Sequence, residues 1–316
     1  MPDVNFALGT LGFGTTVDAA TSLDLLDRFA DAGGTMLDTA DCYAFWADPS
    51  GRGGQSEEVV GRWLARRPGR RDQVYLSTKA GAEPAGPGDW PANRQGLSAA
   101  AVAAAAEGSL RRLGTDRIDL YWAHMEDRTV ALEETAGAFA ALVAEGTVGR
   151  LGCSNHPVWR VERARRIAEE RGWAGYTALQ LRHSYLQPRP GVPVPGQNHR
   201  FGWVTEEVVD YVDSEPDLSL WVYTALLYGF YSRPDERPLP EAYDHPGTPR
   251  RLAALDKVAG DLGVSRNQVV LAWLTGGTPA AVPVVGVSDA RQLDEALAGA
   301  RLRLPAEHRR LLDEAV

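Results

Sequence analysis

Short apolar runs alternate along this chain with longer stretches whose apolar residues recur every three to four positions. The first pattern predicts strands and the second amphipathic helices. The opening run 5–14 reads as a strand that breaks into glycines. Leu23, Leu26, Phe29 and Ala30 then predict a helix over 21–32, with Thr21 or Ser22 as N-cap and Gly33 as its stop. A brief strand follows at 35–38, and Ser56-Glu57-Glu58 opens a helix running to about residue 65. The same reading puts strands at 74–78, 118–123, 148–153, 177–181, 218–224 and 281–285. The helices between and after them fall at 98–114, 131–145, 157–171, from 205, at 249–262, 266–274 and 289–298. Strand–helix alternation through eight units predicts α/β architecture with a parallel, closed sheet, a (β/α)8 TIM barrel, rather than an open one. With no linker or repeat to interrupt it, residues 1–316 are expected to form a single domain with long βα loops at the C-terminal face.

Ionisable residues stand where these strands end. The 35–38 run stops at Asp38, with Tyr43 five residues on; the 74–78 run stops at Lys79; the 118–123 run stops at His124. Carboxyl ends of parallel strands are where a barrel of this kind keeps its chemistry, so Asp38, Tyr43, Lys79 and His124 are expected to converge on one mouth. Singly, each has an ordinary reading as a cap, a packed ring, a solvated strand end or a structural histidine. Together at successive strand exits they point to catalysis.

A chain of 316 residues, 44% hydrophobic and 24% charged, can bury a sizeable core. A net charge of -9 argues against nucleic acid or an anionic membrane as main partner. No early apolar segment has the length and flanks of a signal peptide or membrane span, so a cytoplasmic location is expected. Cys42 and Cys153 make no disulfide framework and have no metal-ligand spacing around them; Cys42, beside the candidate site, reads as a small buried thiol. The early glycines fall as GxxGxG and not as the GxGxxG of a Rossmann fingerprint, which argues against such a site.

In order along the chain, Asp38-Thr39-Ala40 with Tyr43, Ser77-Thr78-Lys79, His124 after an apolar strand, Gly152-Cys153-Ser154-Asn155 and Gln180 resemble the aldo-keto reductase family over essentially the whole chain. That resemblance implies a nicotinamide cofactor, usually NADPH with NADH as the alternative, and reduction of an aldehyde or ketone with Tyr43 as proton donor. Charge arriving on the carbonyl oxygen must be stabilised and protonated. Lys79 is expected to lower the phenol's pKa, Asp38 to hold the lysine, and His124 to hydrogen-bond the substrate oxygen. Ser154, Asn155 and Gln180 match the carboxamide-binding set; Gly9, Thr10 and Leu11 the segment beneath the nicotinamide; Thr224 and Leu226 the pyrophosphate turn. Gly286, Ser288, Gln292 and Glu295 match the adenosine end, and Asp38 adjoins the cofactor.

This chain departs from the family pattern in places. His183 stands where a tyrosine stacked on the nicotinamide is frequent, with Tyr185 two further on; Ala296 replaces an adenine-contacting asparagine; and Gln292, beside Arg291, sits where a base for the 2′-phosphate is usual. Trp46, Trp90, Trp203, Tyr228 and Tyr231 are expected around the mouth, suiting an apolar or ring-shaped substrate. Two rival functions remain: a barrel aldolase with Lys79 as Schiff-base nucleophile, and a cofactor-binding regulatory subunit with little turnover.

Overall fold

The computed structural model describes residues 4–196, 199 and 201–315. Eight parallel strands close in sequence order into a barrel: β1 (Ala7–Gly9), β2 (Met36–Asp38), β3 (Tyr75–Ala80), β4 (Ile118–Ala123), β5 (Val148–Ser154), β6 (Tyr176–Arg182), β7 (Ser219–Tyr223) and β8 (Ala281–Gly286). β8 pairs back onto β1, so no edge is left open. Around it stand α1 (Ala19–Asp31), α2 (Gln55–Ala65), α3 (Ala99–Leu113), α4 (Leu132–Ala144), α5 (Val158–Arg171), α6 (Glu206–Ser214), α7 (Gly247–Leu262), α8 (Arg266–Thr275), α9 (Ala290–Arg301) and α10 (Ala306–Asp313).

The expected barrel is therefore present, with shifts at element ends. β1 keeps only three residues of the opening run, because the chain turns at Leu11–Gly12. Asp18, not Thr21 or Ser22, caps α1, its carboxylate accepting from Thr21 N–H. Ser98 caps α3, and Gly114 ends it in the left-handed region. Ser265 and Gln268 form a reciprocal capping box at α8. Helix α10 extends beyond the last predicted element, its one buried side chain being Leu312.

Strand residues alternate between barrel interior and helix-facing surface. The interior floor is apolar: Ala7, Leu120, Trp122, Ala178 and Trp221, with Met36, Tyr75, Val282 and Val284 against them. Trp122 and Trp221 meet edge to face at 5.5 Å. Gly152 is required here, since a Cβ on it would stand 2.3 Å from the Trp122 indole. Further along the same strands, by two residues or on β3 by four, parity brings Gly9, Asp38, Lys79, His124, Ser154, Gln180 and Tyr223 to the carboxyl end. An apolar floor with a polar mouth follows from period-two patterning read upward.

Candidate active site

At the mouth, Lys79 is fully buried and gives its amine to three acceptors: Asp38 Oδ2 at 2.5 Å, the Thr39 carbonyl at 2.8 Å and the Tyr43 phenol oxygen at 2.8 Å. Asp38, equally buried, is satisfied on its other oxygen by Ser77 Oγ at 2.6 Å and Gln180 Nε2 at 3.2 Å. A buried ion pair survives only when its remaining valences are filled in this way. Because the lysine donates into the phenol oxygen, the phenol's own proton must point elsewhere, and Tyr43 is partly exposed at the mouth. His124, also partly exposed, packs edge-on to Tyr43 with centroids 6.0 Å apart. The four expected residues are brought together.

One electrostatic expectation is overturned. Although Lys79 donates to its oxygen, the resting phenol is not depressed on balance: burial, with the Asp38 carboxylate next, pushes Tyr43 well above its ordinary value. Asp38 lies against the lysine at 2.5 Å and opposes its effect on the phenol. His124 is pushed the other way, well below the ordinary histidine range, by burial and then by Lys79. The resting site thus holds a protonated phenol beside a neutral imidazole.

Ser154 and Asn155 follow the floor residue Gly152 at the end of β5. Asn155 takes a left-handed φ of 58°, a conformation asparagine tolerates. Its Nδ2 donates to the His124 carbonyl at 3.0 Å and to Ser154 Oγ at 3.1 Å, and its Oδ1 accepts from the Tyr223 hydroxyl at 2.8 Å. The Ser154 hydroxyl proton and Gln180 Oε1 find no partner among the described residues. A hydroxyl donor beside amide acceptors is the complement of a primary carboxamide, so this cluster fits the end of a nicotinamide.

The other expected cofactor residues divide. Leu11 is exposed, and Thr224 takes a φ of 57° in the turn after β7, which continues through Leu226. Gly9 packs against β8, where a Cβ would stand 3.0 Å from Val284, and Thr10 is wholly buried, its hydroxyl 2.6 Å from Ser56 Oγ beneath the site. Gly286 ends β8; Ser288 and Gln292 bind each other, Ser288 N–H donating to Gln292 Oε1 at 2.9 Å. Glu295 turns toward α8, accepting from Ser265 Oγ and Asn267 Nδ2. Tyr185 is buried with its hydroxyl on the Leu312 carbonyl, while His183 packs on Trp273 and meets Gln187. Both lie on the helix side, so the aromatic face beside Asn155 belongs to Tyr223, which the sequence reading missed. The signal was available: Tyr223 stands two residues after the inward Trp221, as Gln180 does after Ala178.

Arg182, the next inward residue on β6, was missed for the same reason; its guanidinium lies 5.0 Å from the Trp203 ring and 5.5 Å from Tyr228. Of the expected mouth aromatics, Tyr231 is instead buried, its hydroxyl taken by Ser184 Oγ and Leu186 N–H. Phe45 packs edge-on to Trp46 and against Trp90, forming an apolar shelf with Ala82 and Met125 beside Tyr43. Asp41, Cys42 and His124 bring donor atoms within 4.8 Å of one another. Burial pushes both Asp41 and Cys42 upward, so a cation there would have to displace two protons before it found ligands.

Among known proteins, the sequence model of the Aldo/keto reductase family matches residues 5–316. The oxidoreductase YrpG of Bacillus subtilis is 29% identical over 97% of this chain and 90% of its own length. Norsolorinic acid reductase of Aspergillus flavus is 30% identical over 98% of this chain and 76% of its own. Aryl-alcohol dehydrogenase GME11368 of Pestalotiopsis microspora is 28% identical over 90% and 70%. No helix among the described residues is long and apolar enough to cross a membrane.

Proposed function

Since the chain belongs to the aldo/keto reductase family, we propose that its one (β/α)8 domain reduces a small aldehyde or ketone to the alcohol, with Tyr43 as proton donor. The observation that carries this reading is the single lysine satisfying Asp38, Thr39 and the phenol oxygen at once. When bound, a reduced nicotinamide dinucleotide supplies hydride to the carbonyl carbon. Ser154, Asn155 and Gln180 would hold its carboxamide; the α9 N-terminus near Ser288 would receive its far end. NADPH is the family's usual choice, with NADH as the alternative; a fluorescence titration of both decides between them.

Charge that develops on the substrate oxygen falls within reach of two donors. His124, neutral, orients the carbonyl through a ring N–H. Tyr43 then releases its proton, because an alkoxide is a stronger base than a phenolate. The phenolate left behind keeps the lysine N–H at its oxygen, so Lys79 stabilises the transition state and product rather than acidifying the resting enzyme. The Phe45–Trp46–Trp90 shelf beside Tyr43 supports an aromatic or ring-shaped substrate, in keeping with relatives named for an aryl alcohol and for norsolorinic acid.

Lys79 is a poor candidate for a Schiff base, since all three of its N–H groups are engaged, one of them by the Asp38 carboxylate. Oxidation of NADPH against a panel of aromatic aldehydes, quinones and ketones tests the proposal, with Tyr43→Phe as control. The variant should lose on the order of 10²- to 10⁴-fold in kcat, the usual contribution of a general acid, while cofactor titration stays unchanged. Retained turnover in that variant removes Tyr43 from the mechanism. Tight nicotinamide binding without turnover in the native chain would favour a regulatory role instead.

A further inference from the structure

His124 meets the protein through one ring nitrogen and the mouth through the other. Its Nδ1 lies 3.5 Å from Cys42 Sγ, whereas Nε2 takes no hydrogen bond among the described residues and is not enclosed. The backbone on either side is held, His124 N–H on the Ala80 carbonyl at 2.9 Å and the His124 carbonyl on Asn155 Nδ2 at 3.0 Å. The ring is therefore oriented, and only the position of its proton is left to choose. A neutral imidazole carries one N–H, and the group bound at one nitrogen decides where that proton sits.

Cys42 packs with Ala40, Ala82 and Met125, and its thiol has His124 Nδ1 as its one hydrogen-bond partner among the described residues. Burial, reinforced by the Asp41 and Glu83 carboxylates, pushes its thiol well up, so it keeps its proton. With the imidazole held neutral, a thiolate–imidazolium pair is excluded and two arrangements remain. In one, Nδ1–H points at sulfur; the thiol proton then makes no hydrogen bond among the described residues, the Asp41 carboxyl lying within 4.8 Å but not bonded to it, and a lone pair on Nε2 faces the substrate oxygen. In the other, S–H donates to Nδ1 and Nε2–H faces the mouth. The second leaves neither buried group unpaired and presents a donor where the carbonyl must bind.

We infer that Cys42 is a positioning residue that donates its thiol hydrogen to His124 Nδ1 and so fixes the Nε2–H tautomer that meets the substrate oxygen. This rests on the role given to His124 above, but the tautomer is readable without turnover. In the free enzyme labelled with ¹⁵N-histidine, with the His124 signals identified from His124→Gln, native protein should show a pyridine-like Nδ1 and a pyrrole-like Nε2. Cys42→Ala should shift that pattern toward the other tautomer and lower kcat about three- to tenfold, the scale of one neutral hydrogen bond, with cofactor affinity unmoved. Cys42→Ser, which restores a donor, should return both the nitrogen signals and the rate toward native.

A native Nδ1–H pattern overturns the inference, as does Cys42→Ala with unchanged nitrogen signals or unchanged kcat. So does Cys42→Ser failing as fully as Cys42→Ala, which would reduce Cys42 to packing. Should His124→Gln keep native turnover, the wider reading of His124 fails instead, whatever the tautomer.

Discussion

The inner and outer parts of the site are built on opposite terms. At the inner end of the mouth, Asp38 and Lys79 are wholly buried, and each of their polar valences is met by a neighbour on β2, β3, β6 or the loop after β2. At the rim, Trp46 is 55% exposed, Ser288 and Arg291 are exposed, and polar partners come from the same short turn. Groups that must stabilise charge on a reacting atom gain most where water is excluded and geometry is set beforehand. Groups that only grip a ligand need area and can stay pliable. Damage should therefore be steep and cooperative inside, shallow and substrate-dependent outside.

Lys79→Met breaks that comparison hardest. It removes the ammonium and leaves Asp38 buried without a counter-ion, a defect of about 3–5 kcal/mol, visible as an earlier urea midpoint at neutral pH together with loss of turnover. Lys79→Met with Asp38→Asn should recover most of the stability and none of the activity. A single variant with native stability would show that the pair is not the fixed element described here.

The acid side of stability probes the inner part next. His156, two residues beyond Ser154, is 2% exposed, with Nδ1 2.7 Å from the Ser154 carbonyl. Burial pushes it down to about 4, against an opposing pull from that carbonyl. Because the folded value lies below the unfolded one, the unfolded chain binds the proton more readily between them. Stability is then complete above about 6.5 and falls as pH drops toward 4, by about 3 kcal/mol at most for this group. Urea midpoints measured from pH 7 to 4.5 should fall, and His156→Gln should flatten the slope; an unchanged slope would assign the acid sensitivity to other groups.

Most of the inner part is legible in the chain because it follows from period and strand ends. Apolar runs that stop at Asp38, Lys79 and His124 give both the barrel and its mouth, since in-register parallel strands bring their ends together. The same parity would have yielded Tyr223 and Arg182, had inward positions been counted upward from Trp221 and Ala178. What stayed hidden depends on which element lies opposite in space. Glu295 turns to the cap of α8, and Tyr185 reaches Leu312, over 127 residues of sequence separation. The upward push on Tyr43 was hidden too, because it reflects how far water is excluded and how near the Asp38 carboxylate lies, quantities that spacing does not encode.

At the rim, Trp46→Ala should leave the fold and small aliphatic aldehydes nearly untouched while lowering kcat/KM for aromatic carbonyls about tenfold, or roughly 1.4 kcal/mol of lost ring contact. The ranking of substrates is the measurement that matters. Equal losses for both classes would mean that the shelf with Phe45 and Trp90 closes the mouth generally and does not select rings.

The smallest effect is expected where a 2′-phosphate would bind. At the start of α9, Asp289 accepts from Gln292 N–H at 2.9 Å, and Gln292 Oε1 is taken by Ser288 N–H, so the turn closes on itself with a carboxylate beside the proposed phosphate site. Arg291 is exposed and makes no hydrogen bond or ion pair among the described residues, which leaves it able to reach a phosphate but held by nothing. A mobile, solvated charge contributes little and is screened by salt. Arg291→Ala should therefore weaken NADPH no more than about threefold at physiological ionic strength, under about 1 kcal/mol, with NADH affinity unchanged. Asp289→Asn should tighten NADPH by a similar factor, since it removes a repulsive charge while keeping the cap. A tenfold or larger loss in Arg291→Ala would mean that the turn rearranges around the phosphate, and the contrast between a preset interior and a loose rim would then fail at this end of the site.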